Sequence, residues 1–145
     1  MKIITANSSA SEENINGNQP RPRWFIDLDW YRQNNRSFLT LARSGMCPKC
    51  NERLKEGEGE ISASDIFTTI KDCCSHVQGY ISGELSILES IFRFFLANGN
   101  EPLDVEELGK QLSECRDGDT YRTSAEILSR LLESDQYYGL RQVEA

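Results

Sequence analysis

The sequence predicts a mainly α-helical protein in two parts, a small cysteine-pinned helical module followed by a three-helix unit with a minor β component. Three observations carry this reading. Four of the five cysteines and the single histidine fall within residues 47–76. From Glu84 onward, apolar residues recur at helical spacing in three successive stretches. Only 38% of the 145 residues are hydrophobic, little for one large core, so a small module here needs a metal or disulfides to stay folded.

Residues 1–20 are rich in Ser, Asn, Glu and Gly, a composition that predicts a disordered tail. Pro20 and Pro22 end that tail in extended chain. The tail has a single Lys and no apolar run of signal-peptide length. Nowhere does the sequence approach the ~18 consecutive apolar residues of a membrane span. The expected setting is therefore cytoplasmic and reducing, with no membrane partner, where thiols serve metals or catalysis more than disulfides. An odd number of cysteines agrees.

The module is expected over residues 21–83. Residues 24–28 read as a short strand. Asp29 is placed to cap a helix over about 30–43, which Gly45 stops. The aromatics crowded into residues 24–31 read as cover for the metal module. Lys55 to Glu60 reads as an exposed loop. Ser64 is expected to cap a helix over 65–74, with Ile66, Ile70 and Cys73 on one face. The two glycines between Val77 and Gly83 mark a linker.

The chemistry sits in the spacing Cys47-x2-Cys50-x22-Cys73-x2-His76. Zinc takes four soft or borderline donors in a tetrahedron, and three cysteines with one histidine are among its usual structural sets. The tight turn of Cys47-Pro48-Lys49-Cys50 aims two sulfurs at one point, and Pro48 stiffens it. Cys73 and His76 are three apart and share a helical face. Cys74 competes with Cys73 if the chain has left the helix by then, and an all-cysteine site omitting His76 is the further alternative. With four protein donors the site is closed, as structural zinc requires, whereas catalytic zinc keeps a position for water. No Ser/His/Asp set accompanies it, and Gly57 and Gly59 sit among glutamates that would repel phosphate. Asp65 and Asp72 have nothing to mark them as an acid–base pair. The expectation is structural Zn2+ in a protein that is not an enzyme.

The second unit is expected over residues 84–145. Leu85, Leu88, Ile91, Phe92, Phe95 and Leu96 trace the first stripe, closed by Asn98-Gly99. Asp104 with Glu107, and Thr123 with Glu126, read as capping boxes opening the next two helices. Val105, Leu108, Leu112 and Cys115 form one inward face, which assigns Cys115 to the core. Ala125, Leu128, Leu131 and Leu132 form the other. Residues 137–143 read as a strand. This order, with Glu101-Pro102-Leu103-Asp104 before its second helix, resembles a winged-helix domain. The resemblance covers some sixty residues and rests on pattern. It implies that Thr123 to Leu132 holds the recognition position and that a second wing strand completes the sheet, for which the chain to Ala145 leaves little room.

Charge is unevenly spread. Residues 21–55 carry eight basic against three acidic residues, whereas residues 84–145 carry six basic against thirteen acidic. Nucleic-acid affinity comes largely from Lys and Arg on phosphates, so the acidic unit is expected to meet a protein partner. Arg21, Arg23, Arg32, Arg36, Arg43, Lys49 and Arg53, interleaved with Trp24, Trp30 and Tyr31, form the alternative, a surface for single-stranded nucleic acid or RNA. The function expected first is a zinc-stabilised adaptor or regulatory protein acting through protein contacts. The alternative is a transcription- or RNA-associated protein that uses the basic segment or the third helix of the second unit.

Overall fold

The structure, a computed structural model, describes residues 21–56, 61–116, 118 and 121–143. The expected tail over 1–20 and most of the expected loop, residues 57–60, lie outside the described residues. The protein is mainly helical with a small antiparallel sheet. Strand β1 (Arg23–Ile26) leads into α1 (Leu28–Gln33), α2 (Phe38–Arg43), α3 (Pro48–Glu56) and α4 (Ala63–Asp72). A 3-10 turn, Cys74–His76, follows. Then come α5 (Ile87–Ala97), β2 (Leu103–Asp104), α6 (Val105–Cys115), α7 (Ala125–Ser134) and β3 (Leu140–Gln142).

The sheet order is β2-β1-β3, with both pairings antiparallel. The strand expected in the metal module is thus the centre of a sheet whose two edges come from the second unit. Trp24 and Ile26 are buried, Arg23 exposed and Phe25 half-buried, the alternation expected of a strand covered on one face. Asn100 extends the pairing beyond β2 with its side chain. Its Oδ1 accepts from the backbone N–H of Ile26 at 2.8 Å and its Nδ2 donates to the Ile26 carbonyl at 2.9 Å.

The single helix expected over 30–43 is two. Asn35 takes a positive φ of 54°, a conformation Asn tolerates better than most residues. Arg36 N–H then bonds the Tyr31 carbonyl at 2.8 Å, and Ser37 recaps the chain as α2 begins. The cap of α1 is Asp27, not Asp29. Likewise α4 starts from Ser62, whose hydroxyl and Asp65 complete a capping box, and α7 from Ser124 beside the expected Thr123. In each case neighbouring residues can all accept the same hydrogen bond, and packing of the helix face decides which does. Lys55 and Glu56 belong to α3, not to the loop. The Asp104 cap of α6 is present, and the α5 stripe buries Ile91, Phe92, Phe95 and Leu96.

Cys115 is not in the core; it is exposed. The inward face of α6 runs through Leu108, Gly109 and Leu112 to Arg116, the four-residue step that places side chains on one stripe. Arg116 is almost wholly buried. Its guanidinium donates to the carbonyls of Ser82, Gly83 and Leu85 and to Ser90 Oγ, so the segment expected as a linker is tied down against α5 and α6. One contiguous core includes Cys50, Ile66, Ile70 and Cys74 together with Ile91, Phe95, Leu108 and Leu128. Aromatic rings knit it: Phe38 meets Tyr31, Phe67 and Phe92 at centroid distances of 5.4, 5.5 and 6.3 Å.

Two substitutions test this account. Asn100→Gly keeps the backbone conformation and removes both side-chain bonds to β1, so it is expected to cost about 1–3 kcal/mol in urea unfolding. At Gly109 a Cβ would lie 2.4 Å from the backbone carbonyl oxygen of Thr123. Gly109→Ala is therefore expected to lower the unfolding midpoint despite the better helix propensity of Ala.

Candidate metal centre

The sulfur cluster is built from two chain reversals. In the first, Asn51 locks the end of α2 to the start of α3. Its Nδ2 donates to the carbonyls of Arg43 and Met46 at 3.1 and 3.2 Å, and its Oδ1 accepts from Arg43 Nε at 3.0 Å. Pro48 fills the first helical position, where its missing N–H costs nothing. Cys47 therefore stands just before the helix and Cys50 one turn inside it. Asn51 carried no signal in the sequence that would have marked it as the fastener of this turn.

The second reversal is at the end of α4. Cys73 is the C-cap, with φ −131° and ψ −66°, outside helical geometry, and Cys74 opens the 3-10 turn. On a continuous helix two adjacent side chains diverge. Here the break lets both thiols approach Cys47.

The sulfurs of Cys47, Cys50 and Cys73 all lie within 4.8 Å of one another. Cys47 and Cys73 are 4.0 Å apart, and Cys74 Sγ lies 3.5 Å from Cys47 Sγ. With Zn–S bonds of about 2.3 Å, the edge of a tetrahedral four-sulfur site is about 3.8 Å, a value between those two separations. The four cysteines lie close together and can bind a metal. Cys50 and Cys74 are buried, Cys47 and Cys73 half-buried. His76, expected as the fourth ligand, is exposed at the end of the 3-10 turn and is not among the donors that converge.

Each thiol responds to its surroundings. The backbone N–H of Cys50 draws Cys47 down to about 7, helped by the neighbouring thiols. Burial pushes Cys50 and Cys74 up, and the adjoining Cys50 and Cys47 side chains push Cys73 up. Three of the four groups thus hold their protons more firmly than an ordinary thiol. A metal taken up there would have to displace those protons, so its binding would strengthen as pH rises.

The basic segment is spread over different tasks. Arg21 pairs with Glu106 at 3.6 Å, and Arg32 pairs with Asp29. Arg36 stacks on Tyr137 at 4.2 Å and reaches Trp30 at 5.8 Å. Arg43 holds Asn51, and Arg53 lies against Cys50 Sγ at 3.8 Å. Arg23 and Lys49 are exposed. Trp24, Trp30 and Tyr31, the aromatics interleaved with them, are all buried. Tyr31 donates to the Tyr138 carbonyl and its phenol is pushed up by burial. Gly139, at φ +70°, lets the chain pass these rings: a Cβ there would sit 2.8 Å from Tyr31 and 2.9 Å from Trp30.

Apart from the cysteines, an open hollow of about 370 Å³ is lined by Trp24, Leu132, Glu133, Asp135, Gln136, Arg141 and Gln142. Its buried carboxylate, Asp135, is occupied with backbone N–H groups of Tyr137, Tyr138 and Leu140. No family model, curated protein or solved structure matches this chain.

A pair of variants separates the candidate ligands. Cys74→Ser is expected to lower metal content well below one ion per chain, while His76→Ala leaves it unchanged, as read by elemental analysis of untagged protein. The reverse result would restore the histidine to the site.

Proposed function

We propose that the chain is a non-enzymatic adaptor or regulatory protein held in shape by structural Zn2+ on Cys47, Cys50, Cys73 and Cys74. The observation that carries this reading is the convergence of three thiols, Cys47, Cys50 and Cys73, within 4.8 Å of one another, with Cys74 Sγ 3.5 Å from Cys47 Sγ. Soft thiolates favour zinc among the divalent ions a cell offers, and four of them leave no position for a catalytic water. The ion would join the start of α3 to the end of α4, so its binding free energy becomes folding free energy.

The second unit supports the interaction half of the reading. On α6 and α7, Glu106, Glu114, Glu126 and Glu133 are exposed, against Lys110 and Arg130. Tyr121, 79% exposed, stands in the turn before α7. Such a surface repels a phosphate backbone and suits a partner with basic groups. The winged-helix resemblance belongs to the same proposal. Its helix–strand–helix–helix–strand order is matched by α5, β2, α6, α7 and β3. In this reading β1 takes the place of the second wing strand, antiparallel to both β2 and β3. The burial of Trp24, Trp30 and Tyr31 removes the stacking faces on which the nucleic-acid alternative relied.

Two measurements test the proposal. Chelation of the metal is expected to lower helical circular dichroism and the unfolding midpoint, with recovery on adding zinc back. Native partners retained by the full chain are expected to survive nuclease and high salt. A salt-dependent mobility shift of a mixed nucleic-acid pool, lost on Arg32→Glu with Arg36→Glu, would instead establish the nucleic-acid reading.

A further inference from the structure

Four thiolates on a divalent ion leave two surplus negative charges, and half of the ligand set is out of water. Cys50 and Cys74 are fully buried. Charge withdrawn from solvent is costly unless hydrogen bonds or an opposite charge meet it. Each buried sulfur has a donor from the protein. Cys74 Sγ receives the backbone N–H of Cys47 at 3.4 Å. Cys50 Sγ faces a guanidinium, with Arg53 Nη2 at 3.8 Å. The helix itself arranges the second contact. Arg53 is one turn beyond Cys50 on α3, and side chains on a helix lean toward its N-terminus, so Arg53 reaches back over the sulfur.

We propose that Arg53 is the charge-compensating, positioning residue of the metal centre, donating to the Cys50 thiolate and stabilising the metal-loaded set of sulfurs. The inference rests on the metal reading of the preceding subsection. It gives one residue of the basic segment a task inside the protein: Arg53 answers thiolate charge and not phosphate. It also explains why a side chain that is itself exposed can act on a buried sulfur. Its long aliphatic stem spans the distance while the charged end stays partly in water. Groups that hydrogen-bond metal ligands typically contribute 10- to 100-fold in affinity. An exposed guanidinium belongs at the lower end of that range, because solvent and salt screen it.

The test uses the full chain and competition with a chelator for zinc and for cobalt(II), in wild type, Arg53→Ala and Arg53→Lys. Arg53→Ala is expected to raise the metal Kd about tenfold, and Arg53→Lys to recover most of it. The difference between wild type and Arg53→Ala should narrow as salt rises. The sulfur-to-cobalt charge-transfer bands should keep their intensity, since all four sulfurs still bind. The urea midpoint of metal-free protein should not move, which a merely structural role of Arg53 in α3 would not allow. Equal Kd in wild type and Arg53→Ala, or a loss mirrored by the metal-free midpoint, would overturn the inference. Absence of metal from the wild type would overturn the centre itself, a result visible before any variant is made.

Discussion

Ile26 has no exposed surface, and both of its backbone polar groups are satisfied by one distant side chain, the amide of Asn100. Around that residue the first described segment and the last are joined. The backbone N–H of Asp27 bonds the Gly139 carbonyl, and that of Val143 bonds the Arg23 carbonyl. A four-residue strand has no stability of its own, and a two-stranded pairing has little. β1 therefore exists only where β2 and β3 both flank it, and its buried Trp24 and Ile26 tie the sheet to the helices. Residues 21–83 and 84–143 consequently share a sheet, a core and the buried Arg116 bracket, so they are expected to unfold together. Because these pairings join residues far apart in sequence, forming them closes long loops first, which slows folding.

The other end of the problem is the shortness of the early helices. α1 and α2 have six residues each, α3 nine and α4 ten, all below the length at which an isolated helix is stable in water. α1, α2 and α4 have aromatic or aliphatic side chains to bury: Trp30 and Tyr31, Ala42, Ile66 and Ile70. α3 does not. Among its described side chains Cys50 is the buried one, and Leu54 is half-covered. Its hold on the protein is the Asn51 fastener and the sulfur cluster. A metal bound there, as proposed, would act where hydrophobic burial is weakest, adding to the cover that Met46 and Leu54 already give.

Much of this was legible in the sequence, and the parts that were not have definite physical causes. The cysteine knuckle, the α5 stripe and the Asp104 cap depend on residues within a turn of each other, and local spacing records them. Of the two breaks, the first did not show and the second was left open as the alternative that would admit Cys74. Asn34-Asn35 divides a stretch whose apolar spacing suits one helix, because Asn accepts the left-handed conformation and Ser37 restarts the chain. At Cys73 the helix ends in a different, non-left-handed conformation, and Cys73 still joins Cys47 and Cys50 as the spacing predicts. A helical reading pairs Cys73 with His76, whereas the broken backbone brings Cys74 beside Cys47. Cys115 was assigned inward by a stripe that Arg116 in fact completes, since a buried arginine with carbonyl partners looks like a surface residue in a one-dimensional pattern. The partnership of β1 with the far end of the chain leaves no local trace at all.

The shape of the sheet bears on how the proposed adaptor would meet a partner. An open strand edge invites strand addition, by which many domains capture extended peptides. β3 is an edge strand of three residues, and its own neighbours already use part of it. Leu140 N–H goes to Asp135 Oδ2 at 3.0 Å and its carbonyl accepts from Arg141 Nη1 at 2.8 Å. β2 is two residues long and turns directly into α6. Neither edge offers the run of free N–H and C=O groups that an added strand requires. Contact must then come through side chains, and the exposed charged ones on α6 and α7 are chiefly carboxylates. Carboxylates reach farther into solvent than backbone groups and act before contact. A partner with basic groups would therefore be steered by charge first, with its rate of association falling as salt rises, and would be held afterwards by whatever apolar contact it makes around Tyr121.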